Sequence, residues 1–114
     1  MKLTEKEIRI KLDLVVNKLI NLDSPSVEKK LPKEGGEAIG LFPRDFGIQE
    51  WDWPQGVGLY GLLKLDKHDK SDKYLDFLTN WYKTNIEGGL PSKNINTTTP
   101  LLTLVNLCEV INNP

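Results

Sequence analysis

Two segments of this sequence have almost no side that can face water. Gly56-Val57-Gly58-Leu59-Tyr60-Gly61-Leu62-Leu63-Lys64-Leu65 is apolar or glycine nearly all round, and Leu101, Leu102, Leu104, Val105, Leu107, Cys108, Val110 and Ile111 repeat the pattern. Each opens on a proline, Pro54 and Pro100, whose missing N–H costs nothing in the first turn of a helix. A helix without a polar face must be covered on every side. In an ordinary four-helix bundle each helix keeps a polar face, so these two demand an outer layer. Three glycines in the first of them each cost roughly 1 kcal/mol against alanine, which points to close approach by neighbouring backbone or by a ligand.

The remaining helices are amphipathic. Thr4 and Glu7 form a capping-box signature, and Leu3 with Ile8 has the spacing of a hydrophobic staple. Ile8, Leu12, Val15, Val16, Leu19 and Leu22 then make one apolar stripe, ended by Asp23, Ser24 and Pro25. A third helix is predicted from about Ser71 to Asn85, with Tyr74, Leu75, Leu78, Trp81 and Tyr82 on its apolar side and Gly88, Gly89 and Pro91 closing it. Thr99 is the expected N-cap of the fourth. The order is amphipathic, buried, amphipathic, buried, with the two prolines 46 positions apart (54 to 100). Inner helices ringed by outer ones describe an all-α fold of the α/α toroid type, a six-hairpin barrel of which only the first two hairpins are present. Residues 1–114 are thus expected to be a single incomplete domain that self-associates through exposed apolar helix faces.

Composition narrows the partners. With 15 basic and 16 acidic residues the net charge is −1, which leaves no electrostatic footprint for nucleic acid or anionic lipid. No apolar run reaches the ~18 residues of a membrane span. The start, MKLTEKEIRI, carries charges where a signal peptide needs an apolar stretch, so a cytoplasmic location is expected. The single cysteine, Cys108, excludes an internal disulfide and reads as a small buried hydrophobe. Residues 23–50, broken by Pro25, Pro32, Pro43, Gly35, Gly36, Gly40 and Gly47, read as a long loop of the kind that often shapes a binding surface.

Two segments carry candidate chemistry. In Gln49-Glu50-Trp51-Asp52-Trp53-Pro54-Gln55-Gly56, two tryptophans flank a carboxylate at the mouth of a buried helix. Aromatic faces stack on sugar rings while carboxylates and amides bind hydroxyls. The same tryptophans would equally plug the end of a core. Ser92-Lys93-Asn94-Ile95-Asn96-Thr97-Thr98-Thr99 holds the corresponding place before the last helix, so both segments are expected at one end of the ring. Its Asn and Thr side chains bind hydroxyls, or simply make turns and caps. Glu34, Glu37, Asp45, Glu50 and Asp52 lie close in sequence and would allow a carboxylate pair to act as acid and base in glycoside cleavage, although solvated loop acids are the commoner reading. His68 reads as a surface residue. Gly56, Gly58 and Gly61 imitate a phosphate loop without its preceding strand or its Lys-Ser/Thr ending.

The run Trp51-Asp52-Trp53-Pro54-Gln55-Gly56-Val57-Gly58-Leu59-Tyr60-Gly61-Leu62 resembles the early inner helix of the unsaturated glucuronyl and rhamnogalacturonyl hydrolases, glycoside hydrolase families 88 and 105. Lys73-Tyr74-Leu75-Asp76 and Asn94-Ile95-Asn96-Thr97-Thr98-Thr99-Pro100-Leu101-Leu102-Thr103-Leu104 look like the next hairpin. The resemblance covers roughly residues 45 to 111. It implies an α6/α6 barrel acting on lyase-generated oligosaccharides whose terminal uronic acid carries a C4–C5 double bond. An aspartic acid protonates that enol ether and activates water; the hydrated sugar rearranges and the glycosidic bond is lost. No metal or organic cofactor is implied. The substrate-binding residues carried over are Trp51, Asp52, Trp53, Gln55, Asn94, Asn96 and Thr97. The family's catalytic acid sits in a Trp-Asp-Asp-like or Trp-Leu-Asp-like motif on a later hairpin, so it is expected beyond Pro114 and this chain alone is expected to be inactive. An acidic residue that many members carry before the second inner helix is replaced here by Lys93, Asn94 and Asn96. The competing readings are a free-standing helical carbohydrate-binding or interaction module, and a piece of another α/α-toroid hydrolase.

Overall fold

The computed structural model describes residues 2–23, 47–91 and 93–111. The greater part of the proline- and glycine-rich stretch, with Glu34, Glu37 and Asp45, lies outside the described residues, as does Ser92. Among the described residues there are four helices and no strand: α1 (Glu5–Ile20), α2 (Trp53–Asp69), α3 (Leu75–Gly88) and α4 (Thr99–Ile111). The chain divides into two compact units, one ending at Ile48 and one beginning at Gln49.

In the first unit the capping box forms as the sequence dictates. The Thr4 amide donates to Glu7 Oε2 at 2.8 Å and the Glu7 amide donates to Thr4 Oγ1 at 3.2 Å. The Thr4 amide, and then the Thr4 hydroxyl, hold the Glu7 carboxyl below its ordinary value of 4.5. The apolar stripe is narrower than the spacing suggests. Val16 is buried and Leu12 and Leu19 are half-buried, but Ile8 and Val15 are exposed, and so is Leu3, which leaves no buried staple. α1 ends at a C-cap on Asn21, and the Ile48 amide donates to Leu22 O at 2.8 Å.

The second unit is built around α2 and α4. Asp52 is the N-cap of α2 and Pro54 follows within its first turn. A Cβ placed on Gly56 would lie 2.8 Å from Pro100 N and 2.9 Å from the Thr99 carbonyl carbon, so glycine is required for this contact. The first turns of α2 and α4 therefore touch. Their far ends also meet, where Leu63, Asp66 and Lys67 share a hollow with Val110. The two helices run side by side in the same direction, as inner helices of a toroid should.

Between them in sequence, α3 returns antiparallel. It starts four residues later than the periodicity predicts, because the buried Asp66 carboxylate organises the preceding turn. Asp66 accepts the Ser71 hydroxyl at 2.9 Å and the Tyr74 amide at 2.8 Å. Lys70, at φ 51° and ψ 46°, makes the left-handed step out of α2. Leu78, Trp81 and Tyr82 then form the buried side of α3, as expected from their spacing.

The sequence requires cover all round α2 and α4, and within the described residues they receive it on one side. α2 buries Gln55, Gly56, Leu59, Leu62, Leu63 and Asp66, yet Val57 is 59% exposed. α4 buries Pro100, Thr103 and Leu107 while Leu102 is 55% and Val105 60% exposed. Cys108, expected to be buried, is only half-buried on the flank of this open side.

Candidate functional site

The mouths of α2 and α4 are joined by an aromatic cluster. Trp51 is 7% exposed and stacks on Trp81, with ring centroids 5.4 Å apart and planes 19° from parallel. Tyr82 makes T-shaped contacts with both rings, at 5.7 Å from Trp51 and 4.8 Å from Trp81. Two polar tips of the cluster reach the start of α4 and the turn before it. Trp51 Nε1 donates to the Thr97 carbonyl at 2.7 Å, and the Tyr82 hydroxyl donates to the Pro100 carbonyl at 2.6 Å. Burial pushes the Tyr82 phenol far above its ordinary value of 10, against a smaller opposing effect of the Thr103 hydroxyl. Tyr82 is therefore held as a neutral donor, suited to anchoring rather than to proton transfer.

The segment before α4 is a compact turn closed on itself. Asn94 Oδ1 accepts the amides of Asn96 at 2.9 Å and Thr97 at 3.1 Å. The Asn94 amide donates to Thr97 Oγ1 at 3.0 Å, and Thr98 Oγ1 donates to Ile95 O at 2.7 Å. This is turn and cap chemistry of the kind Asn and Thr supply. It occupies the Oδ1 of Asn94.

The seven residues expected to face substrate thus divide by accessibility. Trp53 is 42% exposed, Asn94 is exposed, and Asp52, Asn96 and Thr97 are half-buried. Asp52 Oδ1 accepts the Trp53 amide at 2.7 Å. Gln55 is buried at 3% exposure, and Trp51, at 7%, is stacked on Trp81 and in T-shaped contact with Tyr82. The plug reading therefore describes Trp51, and it does not describe Trp53. The expectation that both segments lie at one end is met directly by the Trp51–Thr97 bond.

Trp81 and Tyr82, expected on the apolar side of their helix, also brace this end. Their helical spacing announces burial and carries no sign of where the indole and phenol hydrogen bonds go. Gly56 belongs to this end, lying against Thr99 and Pro100, whereas His68 lies in the last turn of α2. His68 is exposed, with Nδ1 3.1 Å from Asp69 Oδ1. Gly56, Gly58 and Gly61 lie inside α2 and form no loop. At the opposite end of α2 and α4 a hollow of about 180 Å³ is lined by Leu63, Leu75 and Val110 together with Asp66, Lys67 and Lys70. Among the described residues no cluster of three His, Cys, Asp or Glu could hold a metal ion, and no helix is long and apolar enough to cross a membrane.

Comparison with known proteins gives this geometry a family. Residues 42–114 match the family described as Glycosyl Hydrolase Family 88. A stretch of 55 residues is 36% identical to the unsaturated rhamnogalacturonyl hydrolase YesR of Bacillus subtilis (strain 168), covering 48% of this chain and 15% of that protein. The crystal structure of "a possible member of GH105 family" from Salmonella enterica serovar Paratyphi A matches with a TM-score of 0.76 at 25% identity, over 100% of this chain and 29% of its own. A second structure with the same description, from Klebsiella pneumoniae subsp. pneumoniae, gives 0.71 at 21% identity over 98% and 28%, and bears on the fold alone. The chain spans less than a third of the length of each of these relatives. The fold is accordingly all-α and part of an α/α toroid. Matched across its whole second unit, the chain belongs to glycosyl hydrolase family 88.

Proposed function

We propose that the chain is the N-terminal portion of a glycoside hydrolase that removes a 4,5-unsaturated galacturonyl or glucuronyl residue from lyase-generated oligosaccharides. In the whole enzyme an aspartic acid beyond Pro114 protonates the enol ether and activates water. The hydrated sugar then rearranges with loss of the glycosidic bond. This chain supplies part of the sugar-facing end of the barrel, through Trp53, Asp52, Asn94, Asn96 and Thr97, with Trp51 and Gln55 beneath them. The observation that carries the reading is the meeting of the two loop segments at the mouths of parallel inner helices, fixed by the bond from Trp51 Nε1 to Thr97 O. An exposed indole beside a carboxylate and amides has the composition of a carbohydrate subsite. The name of the Bacillus relative supports the choice of an unsaturated uronic acid.

Incubating the purified chain with a 4,5-unsaturated galacturonyl–rhamnose disaccharide tests the assignment. Loss of the enol-ether absorbance is not expected, because the proton donor is assigned to a later hairpin. Turnover would overturn that assignment. In the same mixture, NMR shift changes are expected at Trp53, Asn94 and Asn96. Their absence at millimolar sugar would remove these residues from the substrate site.

A further inference from the structure

We infer that Trp51 is a positioning residue, acting on the sugar-facing turn through the Thr97 carbonyl, while Trp53 is the aromatic face this end presents to ligand. The inference rests on the carbohydrate reading of this end and adds which residue sets its geometry. The turn from Asn94 to Thr98 is held by short-range bonds among its own members, and Ile95 at its tip is 85% exposed. Such a turn has a defined shape, and the Thr99 and Leu101 amides join it to α4 through Asn96 O at 3.4 Å and Thr98 O at 3.1 Å. A further hold comes from outside its own helix. Trp51 Nε1 grips it at Thr97, 46 residues away in sequence, and Tyr82 grips the following helix turn at Pro100.

The two gripping rings are themselves in contact and backed by Trp81. Trp51 can tilt only by disturbing that stack, so the donor is aimed by packing. A buried indole N–H also requires an acceptor, and losing the Thr97 carbonyl would leave it unsatisfied. The bond thus constrains both partners, and a shift of the turn carries the Asn94 and Asn96 side chains with it. Trp53, two residues on and beyond the N-cap, is free of this duty and keeps its ring at the surface.

Hydrogen exchange and sugar titration by NMR on the 114-residue chain test the idea. In the unaltered protein the Trp51 indole N–H is expected to exchange far more slowly than that of Trp53; equal rates would overturn the proposal without any variant. Trp51→Phe keeps an aromatic ring against Trp81 and deletes the donor. It is expected to speed exchange of the Asn96 and Thr97 amides about five- to tenfold, the scale of one lost hydrogen bond. Amides in the middle of α2 and α3 should keep their wild-type rates. Unchanged rates at Asn96 and Thr97 would overturn the proposal, and if Trp51→Phe loosens the whole unit, the indole comparison decides it. With the unsaturated disaccharide, Trp53→Ala should abolish the shift changes and Trp51→Phe should weaken them severalfold. Should the wild-type chain show no sugar response at all, the carbohydrate reading fails here while the exchange data still judge the positioning role.

Discussion

Lys70 holds a backbone conformation that side chains avoid. At φ 51° and ψ 46° its Cβ crowds the following carbonyl, at a cost of roughly 1–2 kcal/mol that glycine would escape. Glycine also gains freedom in the unfolded chain, worth about 0.4–1 kcal/mol in the other direction. The first effect is the larger, so Lys70→Gly is expected to stabilise the protein by about 0.5–1 kcal/mol. A higher urea midpoint at unchanged slope is the expected result, and a lower midpoint would show that the Lys70 side chain contributes something its exposure conceals. Nothing in the sequence marks this position, because the left-handed step is forced by what Asp66 does on either side of it. Its carboxylate must reach Ser71 and Tyr74, and the chain turns at Lys70 to allow that. The nearby histidine draws more attention in the sequence, yet His68 lies at the surface and the aspartate shapes the turn.

At the scale of helices, the glycines of α2 have opposite roles that the sequence could state only together. Gly56 admits the first turn of α4 so closely that a methyl group would meet backbone at 2.8–2.9 Å. Gly56→Ala must push the two helices apart, costing about 1–3 kcal/mol, which exceeds the ~1 kcal/mol that alanine gains in helix propensity. Gly61 has nothing within 4 Å, so Gly61→Ala should instead stabilise this chain by about 1 kcal/mol. Urea unfolding of the two variants is expected to move the midpoint in opposite directions, and a shared direction would refute the helix contact. The existence and order of all four helices were legible, since apolar spacing, Pro54, Pro100 and the Thr4–Glu7 cap are local signals. The width of the stripe on α1 was not, because exposure of Ile8 and Val15 depends on what lies opposite them. Likewise the pattern that announced Trp51 and Trp53 as a pair could not say which ring turns inward. That depends on Trp81, Tyr82 and an acceptor at Thr97, residues brought near only by the fold.

For the molecule as a whole, the unsatisfied demand for cover becomes a property of the surface. Leu101, Leu102 and Val105 of α4 and Val57 of α2 are all at least 40% exposed, on the two helices whose sequences have the least polar character. In the proposed whole enzyme, later hairpins continue the ring and close over such faces. Without them, burial of apolar area drives copies of the chain together, and a net charge of −1 offers little repulsion against it. Sedimentation of the 114-residue chain is therefore expected to show a mass that climbs with concentration. Replacing Val105 with glutamate should reduce that climb without unfolding the protein, because the side chain is already 60% exposed. Joining the chain to the rest of a family 88 barrel should abolish it. A species that stays monomeric up to millimolar concentration and unfolds in one cooperative step would show that these faces need no cover, and the carbohydrate-binding module would then be the better account of the chain.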